Sequence, residues 1–431
     1  MKGKVIQAPK PCTDGCTGCS YNCVYKPRPV PTVKEALERW LGALPENVPE
    51  RETLPLASAL GRITAEPVYA VLDVPSSTRA THDGIAIDYR ACAARAGAGT
   101  ATLAPGEFLH CPMGAYVPDE FDTLAHAEQC RIAPDGAADL LSLPPQYQSI
   151  QLRGGSVAKG ELLAEGGERL TPSHLALMQL AGLTEVAVRR KPTLGIIPVG
   201  GDLLPPGSRP GDGQCIECDS LYIRAMAEQH GANPLVTGIV PDDEAAIRAA
   251  AAALLPQCDA LVIIGGVSKG EHHYGDYTAG VIRDMGQISC YGVQLTPGGK
   301  HLILGQIDGT PVIGMPGPPH AMIVMTEYFL PPLINRFLGC PVYEPPLVYA
   351  ALESDLPPRG GGESIWECRV TLSKSGGGYT ARMVDRLGET RDNFILGSGS
   401  VAVTGDLAQF KKGALIPVKL LHTPFEIERG H

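Results

Sequence analysis

The residue types best suited to chemistry form a glycine-rich stretch directly after a predicted buried strand. The strand covers residues 260–264, and the residues that follow it include Gly265, Gly266, Ser268, Lys269 and Glu271. Glycines let a backbone approach a ligand closely and expose its N–H groups to anions. The hydroxyl and the ammonium suit a phosphate or an oxyanion, and the carboxylate suits a divalent cation. An ordinary glycine turn after a buried strand is the alternative interpretation.

Three carboxylates, Asp202, Glu271 and Asp276, occur on loops at one predicted edge of one sheet. If they converge, they suit Mg²⁺, which prefers oxygen ligands and leaves positions open for substrate oxygens. Such a cation stabilises the charge that grows on a phosphate during phosphoanhydride cleavage. Solvated acids on separate loops are the alternative.

Four of the 13 cysteines are close together near the start of the chain, at Cys12, Cys16, Cys19 and Cys23. In a reducing compartment a tight cluster predicts metal binding before disulfides. Four thiolates this close suit a [4Fe–4S] cluster or a tetrahedral Zn²⁺ site. Their contiguous spacing favours the iron–sulfur cluster, and unliganded cysteines are the third possibility.

A second cysteine pair, Cys215 and Cys218, lies in a predicted loop of the sheet domain. This CxxC spacing suits a redox-active pair or a soft metal ion. Two small, partly buried residues without a function are the alternative interpretation.

The bulk composition excludes several classes of protein. A chain of 431 residues is too long for one core, and 44% hydrophobic with 19% charged residues is normal for a soluble protein. A formal net charge of -10 disfavours nucleic acid or an anionic membrane as the main partner. No stretch approaches the roughly 20 apolar residues of a membrane span. The first residues lack the apolar core of a signal peptide, so we expect a cytoplasmic protein.

The first half of the chain predicts two helices followed by a β-rich module. Residues 32–43 have helical periodicity, with Thr32 as N-cap and Glu35 as its capping-box partner. Residues 54–61 predict a second, short helix. Residues 75–148 contain short strand-like pieces and many turns, which predicts a small inserted β module.

From residue 193 onward, predicted strands and helices alternate. Strands are predicted at 194–197, 234–240, 260–264, 290–295, 301–304 and 311–313, and helices at 220–229, 277–285 and 320–337. Such alternation predicts a parallel sheet with right-handed crossovers, in which ligands bind at the carboxyl ends of strands. Strand-like character returns in residues 346–421.

These patterns predict a multidomain α/β protein. The expected parts are a Cys-rich segment (1–30), a linker and dimerisation domain (31–74 plus 149–187), an inserted β-rich domain (75–148), a parallel-sheet ligand-binding domain (188–340) and a C-terminal β-barrel-like domain (341–423).

Several ordered motifs resemble those of the molybdopterin molybdenumtransferases, the family that includes the E domain of gephyrin. The motifs are LDVP at 72–75, HDGIA at 82–86, VGGD at 199–202, GGVSKGE at 265–271, TPG at 296–298 and GMPG at 314–317. The resemblance covers about residues 32–421, which is nearly everything except the Cys-rich segment.

The resemblance implies an elongated homodimer of four-domain subunits and a role in molybdenum cofactor biosynthesis. It implies a Mg²⁺-dependent cleavage of adenylylated molybdopterin, with insertion of molybdate or tungstate into the dithiolene. The implied partners are this substrate and, beyond it, a molybdopterin-adenylylating enzyme or a recipient molybdo- or tungstoenzyme. A cofactor-binding accessory protein with an N-terminal metal site is the alternative function.

The resemblance also implies site residues, which carry over unevenly. Catalytic roles fall on Asp202, Glu271, Asp276 and Lys300. Molybdopterin-binding roles fall on Gly265, Gly266, Ser268, Lys269, Asp83, Asp219, Pro316 and Pro319. Asp83 would reach the cleft from the partner subunit. The chain departs from the family at Gly201, which replaces an acid, and at Thr296 and Gly299, which replace two lysines, with Lys300 one residue on.

Overall fold

The computed structural model describes residues 30–47, 49–96, 99–267, 276–341, 345–356, 364–384, 397–403 and 409–421. These residues form two compact units. The smaller unit comprises residues 49–190, and the larger one combines the residues before 49 with those after 190. Among the described helices, none is both long and apolar enough to cross a membrane.

The first helix, α1 (Val33–Ala43), belongs to the larger unit and begins as predicted. Thr32 caps it, and the side chain of Glu35 bonds back to the Thr32 N–H, so the capping box is confirmed. Trp40 is fully buried, and its indole N–H donates to the Gly305 carbonyl at 2.8 Å. The buried Trp40 side chain therefore anchors this helix, and the hydrogen bond to Gly305 satisfies its indole N–H.

The smaller unit is built mostly of short strands. These strands are β1 (Arg51–Pro55), β2 (Val68–Tyr69), β3 (Arg79–Ala80), β4 (Gly84–Ile87), β5 (Ala101–Leu103), β6 (Phe108–Cys111), β7 (Thr123–His126), β8 (Cys130–Ile132), β9 (Ala138–Leu140), β10 (Ile150–Gln151), β11 (Leu162–Ala164) and β12 (Glu185–Arg189). Its helices are α2 (Tyr89–Arg95), α3 (Pro172–Leu180) and the 3-10 helices Leu56–Ser58 and Ala127–Gln129.

Two antiparallel pairs in this unit, β1 with β12 and β2 with β11, join residues before the inserted module to residues after it, and a third pair, β3 with β10, joins the start of the module to the residues after its end. Between them lie two three-stranded antiparallel sheets, β6-β4-β7 and β5-β9-β8, so residues 75–148 have the predicted β-rich character.

The predicted helix over residues 54–61 is wrong. Residues 51–55 pair with β12, with Leu54 opposite Val186, and only a 3-10 turn follows. The pairing partner lies far along the chain, so the local helical pattern did not contain this information.

The larger unit contains a central sheet, a second sheet and the helices that cover them. Its strands are β13 (Thr193–Pro198), β14 (Leu203–Leu204), β15 (Cys215–Ile216), β16 (Asn233–Val236), β17 (Ala260–Ile264), β18 (Gln287–Tyr291), β19 (Leu295–Thr296), β20 (Ile303–Ile307), β21 (Thr310–Met315), β22 (Leu347–Leu352), β23 (Ile365–Ser375), β24 (Gly378–Met383), β25 (Gly399–Val403) and β26 (Leu415–Leu420). Its further helices are α4 (Asp219–His230), α5 (Glu244–Leu254), α6 (Tyr277–Met285), α7 (Pro319–Leu338) and the 3-10 helices Leu255–Gln257 and Gly299–His301.

The central sheet has the strand order β16-β13-β17-β21-β20-β18. The first four strands are parallel, as predicted, whereas β20 is antiparallel to both of its neighbours. The sheet is therefore mixed. The reversal occurs at Asp308–Gly309, where both residues have positive φ, which is the geometry of a two-residue hairpin turn.

All five residues of β17 are buried, which makes it the centre of the fold. Leu261 and Ile263 pack with Ile247 of α5 and Ile282 of α6 in one apolar cluster. A strand that is covered on both faces loses the alternation of polar and apolar residues, which explains why its sequence is uniformly apolar.

The C-terminal strands close on themselves. They follow the order β23-β24-β22-β26-β25, and β25 pairs back to β23, so five strands form a barrel around a common apolar core. Closure removes unpaired strand edges. The predicted C-terminal barrel-like domain is confirmed.

Candidate functional site

Three neighbouring parallel strands end at the same level of the central sheet. Pro198 of β13 lies opposite Ile264 of β17, which in turn lies opposite Met315 of β21. The ladder continues one residue further, since the Val199 N–H donates to the Ile264 carbonyl at 2.8 Å and the Gly265 N–H donates to the Met315 carbonyl at 2.9 Å. The loops that follow these strands therefore start side by side at the carboxyl edge, the usual ligand-binding edge of such sheets.

Glycine is required where these loops touch. Gly265 has a φ of 86°, and a Cβ atom there would lie 2.3 Å from the Val199 carbonyl oxygen. A Cβ atom at Gly317 would lie 3.8 Å from the Gly265 Cα atom, so the loop after β21 is also in contact. The Thr278 hydroxyl donates to the Gly265 carbonyl at 2.9 Å and fixes the loop to the first turn of α6.

Asp202 lies on the loop after β13 with an exposed side chain. Its main-chain carbonyl accepts the Cys215 N–H at 3.0 Å, which begins the small β14–β15 ladder. Its carboxylate oxygen Oδ2 accepts the Cys215 thiol at 3.7 Å. This carboxylate is thus held at the edge of the sheet and remains open to solvent.

Asp276 is the N-cap residue of α6. One of its carboxylate oxygens caps the helix by accepting the Ala279 N–H at 3.0 Å, and the other accepts the Tyr291 hydroxyl. Burial, together with Asp276, raises the pKa of Tyr291, so the phenol keeps its proton. The proposed role of Asp276 as a cation ligand stays a prediction.

Asp219 is the first residue of α4 and is only 9% exposed. Burial, opposed by the hydrogen bond from the Cys218 thiol and assisted by the nearby Glu217, raises the pKa of its carboxyl to about 7. Glu217 itself accepts the N–H and the hydroxyl of Ser220 at 2.7 and 2.6 Å. The start of α4 thus concentrates buried acid groups close to the Asp202 loop.

This burial gives a testable pH dependence. In the folded protein Asp219 titrates near pH 7 instead of 3.8, so between these values the native state binds more protons than the unfolded chain. Stability therefore falls as pH rises through this window, by up to about 4 kcal/mol from this group. We expect Asp219→Asn to lose less stability than the wild type between pH 4.5 and pH 8 in urea unfolding. The exposed Asp212→Asn should follow the wild type, and parallel curves for all three proteins would contradict the assignment.

The thiols of Cys215 and Cys218 are not activated. Burial and the carboxylates of Asp202 and Asp219 raise the pKa of Cys215, and burial with Asp219 raises the pKa of Cys218 to about 11. Both thiols stay protonated at neutral pH, which disfavours the redox-active interpretation. Within the described ranges no three side chains of the Cys, His, Asp or Glu type lie close enough together to hold a metal ion.

Lys300 is exposed on the 3-10 helix Gly299–His301. The preceding loop packs on the first turn of α7, because a Cβ atom at Gly298 would lie 2.8 Å from the Ala321 Cβ atom. At Gly299 a Cβ atom would lie 2.6 Å from the Val293 carbonyl oxygen. This backbone therefore has no room for a lysine at 299, and the loop presents its positive charge one residue later.

The two prolines frame the start of α7. Pro316 is buried directly after β21, and Pro319 is the first residue of the helix. Proline suits this position because its fixed φ is helical and its missing N–H would have had no partner. The loop between them is therefore held rigidly at the sheet edge.

Asp83 belongs to the smaller unit, directly before β4. Its Oδ1 atom accepts the Met113 N–H at 2.8 Å, which fixes one end of the carboxylate. Its implied molybdopterin-binding role in the cleft of a second subunit stays a prediction.

Several predicted site residues lie outside the described residues. These are Ser268, Lys269 and Glu271 of the glycine-rich stretch, and the four cysteines Cys12, Cys16, Cys19 and Cys23. Their proposed roles stay predictions.

Sequence reasoning missed Asp242. Its Oδ2 atom accepts the Gly201 N–H at 2.7 Å, which brings the loop after β16 to the same edge. Gly201 is the position where an acid is missing. The sequence does contain a clue, because only Asp243 of the pair is needed to cap α5, where it accepts the Ala246 N–H at 2.8 Å.

The chain matches two family models. A model of the MoeA N-terminal region (domains I and II) covers residues 31–182, and a model of a probable molybdopterin-binding domain covers residues 195–336.

Curated relatives extend over most of the chain. The molybdopterin molybdenumtransferase of Haemophilus influenzae is 28% identical over 74% of this chain and 81% of its own length. The protein of the same name from Nostoc is 25% identical over 87% and 92%.

Solved structures share the fold. Two crystal structures of the molybdopterin biosynthesis MoeA protein of Pyrococcus horikoshii cover 91% of this chain and 100% of theirs, with TM-scores of 0.77 and 0.73 and identities of 25% and 22%. The mixed sheet, the β-rich unit and the barrel define a multidomain α/β protein. The chain belongs to the MoeA family, the molybdopterin molybdenumtransferases, as a distant member.

Proposed function

We propose that this chain acts in molybdenum cofactor biosynthesis by cleaving adenylylated molybdopterin and inserting molybdate or tungstate into its dithiolene. The observation that carries the proposal is that β13, β17 and β21 end side by side in the sheet, so that the loops after them form a glycine-lined edge. Relatives named molybdopterin molybdenumtransferase support the same activity.

The residues at this edge suit a phosphate and a cation. Gly265 and Gly266 both have positive φ, a backbone geometry found in anion-binding loops, and the Gly265 N–H itself is bonded to the Met315 carbonyl, which fixes the start of the loop at the sheet edge. Mg²⁺ typically takes one or two carboxylates together with substrate phosphate oxygens, so the exposed carboxylate of Asp202 fits it. When bound, Mg²⁺ supplies charge stabilisation for the leaving phosphate. Asp202 would hold the ion, and the glycine loop would orient the anhydride.

The test is release of AMP from adenylylated molybdopterin in the presence of Mg²⁺ and molybdate or tungstate. We expect the wild type to release AMP and Asp202→Asn to be slower by about tenfold or more, because a transition-state charge partner is lost. Asp212→Asn changes an exposed acid of the next loop, between β14 and β15, and should leave the rate unchanged. No AMP release with either oxyanion would contradict the proposal.

Further parts of the proposal concern assembly and the Cys-rich segment. A homodimer, exchange of substrate with an adenylylating enzyme or a recipient enzyme, and a [4Fe–4S] or Zn²⁺ site at Cys12, Cys16, Cys19 and Cys23 all remain predictions. Metal analysis and a visible spectrum of anaerobically prepared protein distinguish iron–sulfur, zinc and unliganded cysteines.

An accessory protein that binds the cofactor without turnover is the second candidate. The observations in its favour are Thr296 at one lysine position of the family and the tightly packed backbone at Gly299 at the other, which leave Lys300 as the lysine of residues 296–300. Fewer point charges weaken binding of a polyanion. Binding of molybdopterin without AMP release would favour this function.

A further inference from the structure

Thr278 lies in the first turn of α6, at the base of the glycine-rich loop, and is fully buried. Its hydroxyl donates to the Gly265 carbonyl at 2.9 Å, and its own N–H donates to the Gly266 carbonyl at 3.1 Å. One residue therefore holds two consecutive carbonyl groups of the loop, and it joins the two ends of the segment 267–277.

These two hydrogen bonds fix the direction of the peptide groups that follow Gly265 and Gly266. A trans peptide group is planar, and its N–H points opposite to its C=O. Neither peptide bond is among the cis bonds of the described chain. Because both carbonyls are directed at Thr278, the N–H groups of Gly266 and Val267 point away from it.

The N–H groups of Gly266 and Val267 are available to a ligand. In the parts of the chain that the structure describes, neither of them donates to a protein acceptor, whereas the Gly265 N–H is bonded to the Met315 carbonyl. Gly266 and Val267 are also partly exposed. The φ angles of Gly265 and Gly266 are 86° and 60°, and consecutive N–H groups in such a turn form a concavity that binds anions.

The side chain of Thr278 is held in one orientation by the glycines around it. A Cβ atom at Gly266 would lie 2.9 Å from its hydroxyl oxygen, and a Cβ atom at Gly314 of β21 would lie 3.0 Å from its methyl carbon. A β-branched side chain also has few rotamers to choose from. The hydroxyl therefore holds the loop, while the methyl group fills the space against β21.

We propose that Thr278 is a positioning residue of the reaction, which directs the N–H groups of Gly266 and Val267 towards the phosphate anhydride of the substrate. The inference rests on the proposed function for the identity of this anion. Donors that are oriented before the ligand arrives need no reorganisation when charge develops on it. Thr278 itself does not touch the substrate and acts through the glycine backbone.

Two variants separate the hydroxyl from the methyl group. Thr278→Val keeps the shape and removes the hydrogen bond to Gly265, whereas Thr278→Ser keeps that bond and removes the methyl group. Each variant loses a buried interaction, so both should unfold at a lower temperature than the wild type. If Thr278 only stabilised the fold, both variants would bind the anion equally well. A positioning role predicts that only Thr278→Val loses affinity.

The experiment measures the binding of inorganic pyrophosphate to the full-length protein by calorimetry in the presence of Mg²⁺. Pyrophosphate has the anhydride without the pterin or the adenosine, so it tests the loop separately from turnover. We expect Thr278→Ser to bind like the wild type and Thr278→Val to bind about tenfold more weakly, the value of a weakened hydrogen bond to a charged group. In the AMP-release assay the KM of Thr278→Val should rise by a similar factor with a smaller change in kcat, because the anhydride is held before and during cleavage.

The matched control is Thr64→Val in the smaller unit. Thr64 is also fully buried, and its hydroxyl donates to the Glu165 carbonyl at 2.5 Å. This variant should lower thermal stability and leave pyrophosphate binding unchanged.

Three results would overturn the inference: no binding of pyrophosphate by the wild type, unchanged affinity in Thr278→Val, or equal losses of affinity in Thr278→Val and Thr278→Ser. Release of AMP together with any of these results contradicts the inference alone. The expected binding pattern without release of AMP contradicts only the proposed reaction.

Discussion

Replacing Gly265 with alanine is expected to lower the free energy of unfolding by more than about 3 kcal/mol and to abolish AMP release. The added Cβ atom would lie 2.3 Å from the Val199 carbonyl oxygen, which belongs to the backbone and cannot rotate away. The φ of 86° adds strain that an L side chain does not tolerate well. Relief requires separating the loops after β13 and β17, which are the loops that form the proposed ligand edge.

The matched control for this prediction is Gly207→Ala. Gly207 has nearly the same φ, 85°, but a Cβ atom there would meet nothing within 4 Å. We expect a cost of only about 1–2 kcal/mol from the backbone conformation alone. Urea unfolding of the two variants isolates the contribution of the contact. Equal losses in both would mean that the close approach of Gly265 and Val199 is relaxed at little cost.

Removing the charge of Glu327 is expected to destabilise the larger unit by about 3–5 kcal/mol. Its carboxylate lies 2.6 Å from the Arg369 guanidinium, whose side chain is only 8% exposed. Burial alone would lower the pKa of Arg369, but the charge and hydrogen bond of Glu327 outweigh burial and raise it. In Glu327→Gln the arginine stays charged and loses its hydrogen-bonded carboxylate, which leaves the charge of Glu367 as the nearby compensation. A buried charge that loses its direct partner is strongly destabilising.

This pair joins two parts of the larger unit. Glu327 lies on α7, which covers the central sheet, and Arg369 lies on β23 of the barrel. A parallel bond connects the neighbouring residues, since the Tyr328 hydroxyl donates to the Glu367 carboxylate at 2.5 Å. Loss of the ion pair should therefore weaken the attachment of the barrel to the sheet as well as overall stability. Hydrogen exchange of β23 and α7 measures this directly.

The control is an exposed ion pair in the other unit. Arg51 and Glu66 are 3.0 Å apart, with side chains 72% and 55% exposed. Glu66→Gln should cost less than about 1 kcal/mol, because water already solvates both charges. If the two Glu→Gln variants lose the same free energy of unfolding, burial does not determine how much the Glu327–Arg369 pair stabilises the fold.

Local sequence patterns predicted much of this fold. The capping box of Thr32 and Glu35 predicted the start of α1, and the apolar run 260–264 predicted β17. These predictions held because a cap or a fully buried strand needs only a few consecutive residues. The ordered glycine and proline motifs likewise indicated the family and the edge at which the loops meet.

Reasoning from local patterns failed where a segment pairs with residues far away in the sequence. Residues 54–61 have a helical pattern, yet residues 51–55 pair with β12. The antiparallel strand β20 followed from the Asp308–Gly309 turn, a signal that was present but was outweighed by the alternation of strands and helices. Asp276 illustrates the limit for sites, because its sequence position does not show that its carboxylate caps α6 and accepts the Tyr291 hydroxyl. Its role as a cation ligand stays a prediction.

The sequence by itself determined which elements form, which family the chain resembles, and that glycine must follow β17, because each depends on residues close together in the chain. Only the tertiary structure decided that Val199 makes Gly265 irreplaceable, that Asp242 reaches Gly201, and that Glu327 neutralises Arg369. Each of these contacts joins residues tens of positions apart. Their distance and burial, which set their energies, arise only when the chain has folded.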